Sequence, residues 1–166
     1  LGGHCIPVDP HYLSWKLRTL NYTARFIELA HDVNSHMPDY VVGKVAMALN
    51  DDRKAINGSR VLVLGVAYKP NIGDVRESPA IDVIDLLEER GAEVSYHDPY
   101  VQDFVAAGTS FHSIELTAVT LQQADCVVIV TNHASYDWDF ITDHAGLIVD
   151  SRNAIQGKRK SRIVRL

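Results

Sequence analysis

The sequence predicts an α/β fold: a Rossmann-like, doubly wound parallel sheet preceded by a helical segment. Apolar residues recur at helical spacing up to about residue 50, and beyond about residue 60 short apolar runs alternate with helical stretches. A repeated strand–helix–strand order is typical of a parallel sheet with helices on both faces. With 166 residues, 46% of them hydrophobic, the chain can bury one core and carry a smaller additional part.

Three apolar stripes predict helices in the first part of the chain. The first stripe follows Pro10, whose fixed φ suits a first helical turn, and the other two cover residues 26–33 and 41–49. Pro38 lies between the last two stripes. It is expected either to kink one long helix or to start a new helix with Ser35 as its cap.

Residues 1–55 and 56–166 are predicted to form two parts, because the apolar period changes near Asn57-Gly58. In the second part, apolar runs predict strands at 60–65, 93–97, 126–130 and 147–149. Helical spacing predicts the connecting helices at 78–90, 116–123 and 138–144. The basic residues near the C-terminus are predicted to form a solvated end, and they are Lys158, Arg159, Lys160, Arg162 and Arg165.

Composition limits the partners and the compartment. The net charge of -5 argues against a nucleic-acid partner, since phosphate binding normally needs a basic excess. No stretch approaches the roughly 20 apolar residues that a membrane helix needs. Cys5 and Cys126 are the only cysteines, so a cytoplasmic protein without a disulfide framework is expected, with Cys126 inert in a buried strand. Because Leu1 opens a motif without a preceding methionine, we expect an upstream part.

The first candidate site is the segment Gly2-Gly3-His4-Cys5-Ile6-Pro7-Val8-Asp9-Pro10. Its paired glycines let the backbone approach a ligand closely, and its prolines restrict the path of the chain. Cys5 would therefore lie on a constrained loop with Asp9 nearby to handle protons, which suits a nucleophile. Residue types alone leave alternatives open: a turn with a buried cysteine, a hydrolase pair of Cys5 with His4, or a zinc site of His4, Cys5, Asp9 and His11.

The second candidate site is the segment 65–80, which leads from the first predicted strand into a helix. Ligands of open α/β sheets bind at this end of the strands. Ser78 is predicted to cap the helix, so that free N–H groups face the loop, and Lys69 and Arg76 add two cations. These features favour an anion site, most naturally for phosphate, with solvated surface charges as the alternative. The Gly-x-Gly-x-x-Gly pattern of an ordinary NAD site is absent.

Three further polar residues follow predicted strands. Asp98 ends the second strand, where an acid often binds a ribose, but a role in the turn is favoured. His133 follows the third strand and is expected to be a hydrogen-bonded loop residue. Arg152 follows the fourth strand, where it could close over a base or a phosphate.

Both candidate segments resemble motifs of a single family. The segment around Cys5 is similar to the active-site cysteine motif of the UDP-glucose/GDP-mannose dehydrogenase family. The second segment resembles that family's UDP-binding loop, on Gly65-Val66-Ala67-Tyr68-Lys69-Pro70-Asn71 and on Asp74, Arg76, Glu77 and Ser78. The likeness covers nearly the whole chain, and the two motifs occur in the family's order.

The resemblance implies roles for individual residues. Cys5 would attack the aldehyde made from the sugar's primary alcohol, giving a thiohemiacetal and then, after a second hydride transfer, a thioester that water cleaves. Asp9 would help to handle that water and its protons. The residues that would contact the UDP part of the substrate are Tyr68, Lys69, Arg76 and Arg152.

The resemblance also implies a cofactor and an assembly. Family members have an N-terminal NAD-binding domain, a central helical region that forms a homodimer, and a C-terminal UDP-binding domain. Residues 1–55 would be the end of the central region and residues 56–166 the UDP-binding domain. The NAD site would lie upstream, so this chain is not expected to turn over by itself.

One departure bears on the substrate. UDP-glucose enzymes usually carry lysine at the position of Val8. The motif around Cys5 more closely resembles that of enzymes that act on UDP-N-acetylmannosamine or UDP-N-acetylglucosamine in the synthesis of surface polysaccharides. Two alternatives come from other classes of protein: a nucleotide-binding module without catalysis, and a dimerisation unit built on residues 24–50.

Overall fold

The structure is a computed structural model that describes residues 3, 5–106, 108–157 and 160–166. Its helices are α1 (Asp9–Arg18), α2 (Arg25–Ser35), α3 (Met37–Asp51), α4 (Pro79–Glu89), α5 (Ala118–Gln123) and α6 (Trp138–His144). Its strands are β1 (Arg60–Leu64), β2 (Glu93–His97), β3 (Asp103–Ala106), β4 (Thr109–His112), β5 (Cys126–Ile129), β6 (Leu147–Asp150) and β7 (Arg162–Arg165). The predicted fold class is confirmed, because three helices precede a parallel sheet of five strands.

The order of the strands creates a crevice in the sheet. The order is β2-β1-β5-β6-β7, and every neighbouring pair is parallel. From β1 the chain passes first to β2 on one side, and it later returns to β5 on the other side. The loops that leave β1 and β5 therefore diverge at the carboxyl edge, which is where open α/β sheets bind their ligands.

Strand β1 supplies side chains to two cores. Val61 and Val63 point into a core that α3 and α4 cover, whereas Leu62 and Leu64 point into a core that α5 and α6 cover. All four side chains are at most 1% exposed. This alternation explains the continuous apolar run in the sequence, since a strand with helices on both faces has no polar side.

Pro38 starts a new helix, as one of the two predicted alternatives requires. It occupies the second position of α3, where a residue without an N–H group loses no helical hydrogen bond. The prediction that Ser35 caps this helix is wrong. Ser35 is the last residue of α2, its hydroxyl donates to the carbonyl of Asp32 at 3.0 Å, and His36 takes the cap position.

A short hairpin between β2 and α5 was not predicted. Strands β3 and β4 pair in antiparallel fashion and place Phe104 opposite Phe111, with the two rings stacked at 5.0 Å. Tyr96 of β2 packs edge-on against Phe104, also at 5.0 Å. Each strand has only four residues, and at most two of them are apolar residues in the core. Strands of this length are too short to show a recognisable apolar period in the sequence.

The basic C-terminal segment is not simply a solvated end, so that prediction is wrong. Residues 162–165 form β7, the edge strand of the sheet, in register with β6. Its central residues Ile163 and Val164 are partly buried, one against each core. The strand was not predicted because its two apolar residues lie between charged residues, so that composition alone indicated a solvated segment. Lys158 and Arg159 of the same segment lie outside the described residues.

Arg162 joins the edge strand to helix α3. Its guanidinium donates to the carboxylates of Asp51 and Asp52 at 2.5 and 2.7 Å, and to the carbonyl of Ala48 at 3.2 Å. A cation at the C-terminal end of a helix also interacts favourably with the helix dipole. The last strand thus holds the end of α3 against the sheet.

Candidate functional site

A cavity of about 390 Å³ opens at the carboxyl edge of the sheet, beside the crevice between β1 and β5. Its volume lies in the range of small-molecule sites, roughly 300–1,000 Å³. Four parts of the chain line it: the segment before α1, the stretch from the loop after β1 to the start of α4, the loop after β5 and the loop after β6. The lining residues are Gly3, Cys5, Ile6, Ala67, Tyr68, Lys69, Pro70, Pro79, Val130, Thr131 and Arg152.

The loops after β1 and β5 touch at Gly65. Its φ of +83° favours glycine, and a Cβ atom there would lie 2.4 Å from the carbonyl oxygen of Thr131. The Thr131 hydroxyl in turn donates to the carbonyl of Ala67 at 2.6 Å. The two loops are therefore held in contact at the floor of the cavity.

Asp98 is a buried carboxylate that organises the start of the loop after β1. One oxygen accepts the N–H groups of Val66 and Ala67 at 2.8 and 3.0 Å, and the other accepts the N–H of Tyr100 at 2.8 Å. Burial alone would raise the pKa of Asp98, but the hydrogen bonds from His133 and the backbone outweigh it and lower that pKa. The favoured turn role of Asp98 is confirmed by its bond to the residue two positions on.

His133 is fully buried and makes a hydrogen bond with each ring nitrogen. Nε2 lies 3.0 Å from the carboxylate of Asp98, and Nδ1 accepts the N–H of Asn71 at 2.9 Å. The side-chain oxygen of Asn71 also accepts the N–H of Ala134 at 2.8 Å. The predicted role of a hydrogen-bonded loop residue is confirmed, although the partners were not foreseen.

Cys5 is exposed at the rim of the cavity, just before α1. Its carbonyl accepts the N–H groups of Val8 and Asp9 at 3.2 and 2.8 Å, so Asp9 begins the helix one turn after the cysteine. Asp9 is exposed and is not among the described residues that line the cavity. His4, which the hydrolase and zinc alternatives both require, lies outside the described residues.

The cysteine segment rests against the loop after β1 through Gly3. The φ of Gly3 is +97°, its N–H donates to the carbonyl of Glu77 at 3.3 Å, and a Cβ atom there would lie 2.7 Å from the ring of Tyr68. Any larger residue would thus displace the tyrosine. The backbone that precedes Cys5 and the loop that carries Tyr68 are fitted to each other.

The four predicted nucleotide-contacting residues separate into two groups. Tyr68, Lys69 and Arg152 line the cavity together with Cys5. Arg76 is not among the described lining residues, and its guanidinium donates to both carboxylate oxygens of Asp74 at 3.0 and 2.8 Å. This pairing raises the pKa of Arg76, mainly through the hydrogen bond that its guanidinium donates to Asp74.

Two exposed cations, Lys69 and Arg152, give the cavity a basic rim. The backbone of Arg152 is fixed by the buried carboxylate of Asp150, which accepts the N–H groups of Arg152 and Ile155 at 3.1 and 2.9 Å. Ser78 caps α4 as predicted, by accepting the N–H of Ala80 at 3.4 Å. A basic rim beside an apolar, partly enclosed floor suits an organic anion such as a nucleotide.

Comparisons with known proteins agree with this geometry. The UDP binding domain of the UDP-glucose/GDP-mannose dehydrogenase family matches residues 62–157, and the family's central domain matches residues 1–36. The chain belongs to this family. The match of the UDP binding domain contains the end of β1 from Leu62 onward, the candidate loop after it, and Arg152.

Relatives in the family extend well beyond this chain. The UDP-N-acetyl-D-mannosamine dehydrogenase of Methanococcus vannielii is 36% identical over 136 residues, which are 82% of this chain and 29% of that protein. The UDP-N-acetyl-D-glucosamine 6-dehydrogenase of Pseudomonas aeruginosa is 30% identical over 139 residues, 82% of this chain and 32% of that protein. This chain therefore spans about a third of the length of these relatives.

A solved structure shows the same arrangement of elements. The UDP-D-ManNAc dehydrogenase of Pyrococcus horikoshii superposes with a TM-score of 0.83 at 28% identity, over 99% of this chain and 38% of that one. Within the part of this chain that the structure describes, no helix has the length and apolar character needed to cross a membrane.

Proposed function

We propose that this chain is the C-terminal part of an NAD-dependent UDP-sugar 6-dehydrogenase and that it binds the UDP part of the substrate. The substrate would be a UDP-hexose or a UDP-N-acetylhexosamine, oxidised to its uronic acid through Cys5. One observation carries the proposal: Cys5 lies on the same cavity as Lys69 and Arg152, at the edge of the sheet where ligands bind. Membership of the family and the names of the relatives support it.

The nucleotide would occupy the side of the cavity formed by the loops after β1 and β6. Lys69 and Arg152 would neutralise the diphosphate, since cationic donors form the stronger hydrogen bonds to phosphate. Tyr68 would contact the nucleotide with the face or edge that Gly3 leaves open. Arg76 would reach the substrate only by leaving Asp74, which makes it the least prepared of the four residues.

The sugar would extend toward Cys5. Loss of a hydride and of the hydroxyl proton from the primary alcohol would first give the aldehyde. The sulfur of Cys5 would then bond to the aldehyde carbon while the thiol proton passes to the aldehyde oxygen. Loss of hydride from that carbon and of the hydroxyl proton would give a thioester. Water would then cleave the C–S bond, releasing the carboxylate and returning the thiol, while Asp9 takes the proton of the attacking water. NAD, when bound, supplies the acceptor for each hydride, and its site would lie in the part of the relatives that this chain does not span.

Several wider features remain part of the proposal. The helical residues 1–55 would belong to the region that forms a homodimer, and residues 56–166 would form the UDP-binding domain. The enzyme would work in the cytoplasm and serve the synthesis of a surface polysaccharide. An N-acetylated amino sugar is favoured, because relatives that match this chain are named for UDP-N-acetylmannosamine and UDP-N-acetylglucosamine.

A titration with UDP, GDP and NAD tests the nucleotide site. Calorimetry on this chain, and on the full-length protein, is expected to show selective binding of UDP. Replacing Lys69 by alanine should remove a charge-assisted contact and weaken UDP binding by about 1.5–3 kcal/mol, or roughly 10- to 150-fold.

Lys160 provides the matched control for this substitution. It is exposed like Lys69, but it pairs with Asp143 at 3.0 Å beside the amino edge of the sheet. Lys160→Ala should leave UDP affinity unchanged, and Lys69→Arg should retain part of the affinity. Equal affinities of Lys69→Ala and the unmodified protein would remove Lys69 from the site. No UDP binding even in the full-length protein would refute the proposal.

Alkylation tests the role of Cys5, with Cys126 as an internal control. Cys126 is buried, and burial raises the pKa of its thiol to about 12, so it should resist iodoacetamide in the folded protein. Cys5 in the full-length protein is expected to react faster than a model thiol, and UDP-sugar should slow this reaction. A rate at Cys5 equal to that of a model thiol would instead favour a nucleotide-binding module without catalysis.

A further inference from the structure

The proposed chemistry does not use His133, yet this residue lies at the base of the loop that carries Tyr68 and Lys69. We propose that His133, acting with Asp98, is a positioning residue: it fixes residues 66–71 in the conformation that receives the nucleotide. This inference rests on the proposed function. Both residues of this pair are buried, and neither is among the described residues that line the cavity.

The first end of the loop is fixed by Asp98. One oxygen of this carboxylate accepts the N–H groups of Val66 and Ala67, and the same oxygen accepts the proton of His133 Nε2. A carboxylate with several donors in a buried position is rigid, because losing any of its bonds would leave a buried polar group unpaired. The backbone leaving β1 is thereby set before it reaches Tyr68.

The second end of the loop is fixed by His133 itself. Asn71 has a φ of +64°, a left-handed conformation that needs support in a residue other than glycine. Its N–H donates to Nδ1 of His133, and its side-chain oxygen accepts the N–H of Ala134. Lys69 lies two residues before this double attachment, so the path of its backbone is constrained from both sides.

The two bonds of His133 require one protonation form. Nδ1 accepts an N–H and so carries no proton, which leaves the proton on Nε2, where it is donated to Asp98. The groups facing the ring are the Asp98 carboxylate, the Tyr100 ring at 5.0 Å and the Tyr136 ring at 5.6 Å. These groups enclose the imidazole. The side chain of His133 therefore has a fixed position, in which it connects the loops after β1, β2 and β5.

A loop that is ordered before binding loses little conformational freedom when the ligand arrives, and affinity benefits accordingly. Removing the imidazole should leave Asn71 held at this end only by the bond from the Ala134 N–H to its side chain, with its own N–H unpaired. UDP would then have to order residues 68–71, and affinity would fall even though the phosphate-contacting side chains are intact.

Two substitutions separate the halves of the bridge. His133→Asn places an amide oxygen where Nδ1 stood, which preserves the acceptor for Asn71 and loses the donor to Asp98. His133→Gln places an amide N–H group near the position of Nε2, which preserves the donor and loses the acceptor. His133→Ala removes both. His144→Ala is the control, because this histidine lies at the end of α6 near the amino edge, where its Nδ1 is 2.8 Å from the Phe140 carbonyl.

Calorimetry with UDP, thermal melting and amide hydrogen exchange should be measured on all four variants. His133→Ala and His133→Gln are expected to weaken UDP binding roughly tenfold, while His133→Asn stays within about threefold and His144→Ala is unchanged. Exchange at residues 68–71, measured without nucleotide, should accelerate in His133→Ala and His133→Gln but not at β1. Imidazole ¹⁵N shifts should show the proton of His133 on Nε2.

The results distinguish three situations. If affinity followed melting temperature across the variants, with no difference between Asn and Gln, His133 would be structural only and the inference would be overturned. Unchanged exchange at residues 68–71 in His133→Ala would overturn it as well, whether or not UDP binds. Altered exchange together with no UDP binding in the unmodified full-length protein would uphold the loop bridge and refute the proposed function.

Discussion

Helices α2 and α3 follow one another with a single residue between them, and each has an apolar stripe. Helix α3 buries six residues, and its side chains Val42, Val45 and Leu49 belong to the core on one face of the sheet. Helix α2 has no buried residue, and Phe26, Leu29 and Val33 remain more than half exposed. Helical spacing of apolar residues thus identifies a face that can be buried, but it does not identify what covers that face.

The difference has a physical cause in what lies opposite each helix. Helix α3 faces α4 and the sheet, which present apolar side chains of their own. Helix α2 contacts α1 and α3, and its contacts with α1 include polar ones: Arg18 donates to the carboxylate of Glu28 at 2.6 Å, and Ser14 does so at 3.0 Å. The bond from Arg18 is the main cause that lowers the pKa of Glu28.

The largest effect is expected at Leu49. This side chain is 0% exposed, so Leu49→Ala should lower the free energy of unfolding by about 2–5 kcal/mol through lost burial and the cavity left behind. Urea denaturation of this chain measures the change. Met47→Ala on the same helix is the matched control, since Met47 is 66% exposed and should change stability by no more than about 0.5 kcal/mol. Equal effects of the two substitutions would mean that α3 does not dock on the sheet.

The smallest effect is expected at Phe26, on the stripe of α2. This residue is 88% exposed, so Phe26→Ala should change the free energy of unfolding by less than about 0.5 kcal/mol. Sedimentation of the same samples should accompany the denaturation curves. A loss of more than about 1 kcal/mol, with a simultaneous change in sedimentation, would show that another copy of the chain covers this stripe in solution.

Periodicity was sufficient for most of the fold. The four predicted strands and their helices were found because each has a distinct apolar period, and some are followed by a stop residue, such as Gly91 after α4. The hairpin of β3 and β4 and the edge strand β7 were missed, since four residues between charged or polar neighbours show no usable period. The hairpin packs against Tyr96 of the preceding strand, and β7 is held by α3, 110 residues away in the sequence.

The residues of the candidate site were also only partly predictable from the sequence. The ends of predicted strands and the family motifs indicated Cys5, Lys69 and Arg152, and the structure brings these residues to one cavity. The bridge from Asp98 through His133 to Asn71 was not predicted, because its partners are 35 and 62 residues apart. The pairing of Arg76 with Asp74 spans only two residues, and this short spacing was a signal that could have been used.

The sharing of β1 between two cores has a consequence for how the molecule opens. Because Val63 and Leu64 are buried in opposite cores, neither core can be dismantled without exposing the same central strand. The two layers should therefore melt together, with the amides of β1 among the last to exchange with deuterium. The loop that would bind the nucleotide begins directly after β1. A ligand bound there would therefore stabilise the protein against global unfolding and would protect the entire sheet from proteolysis.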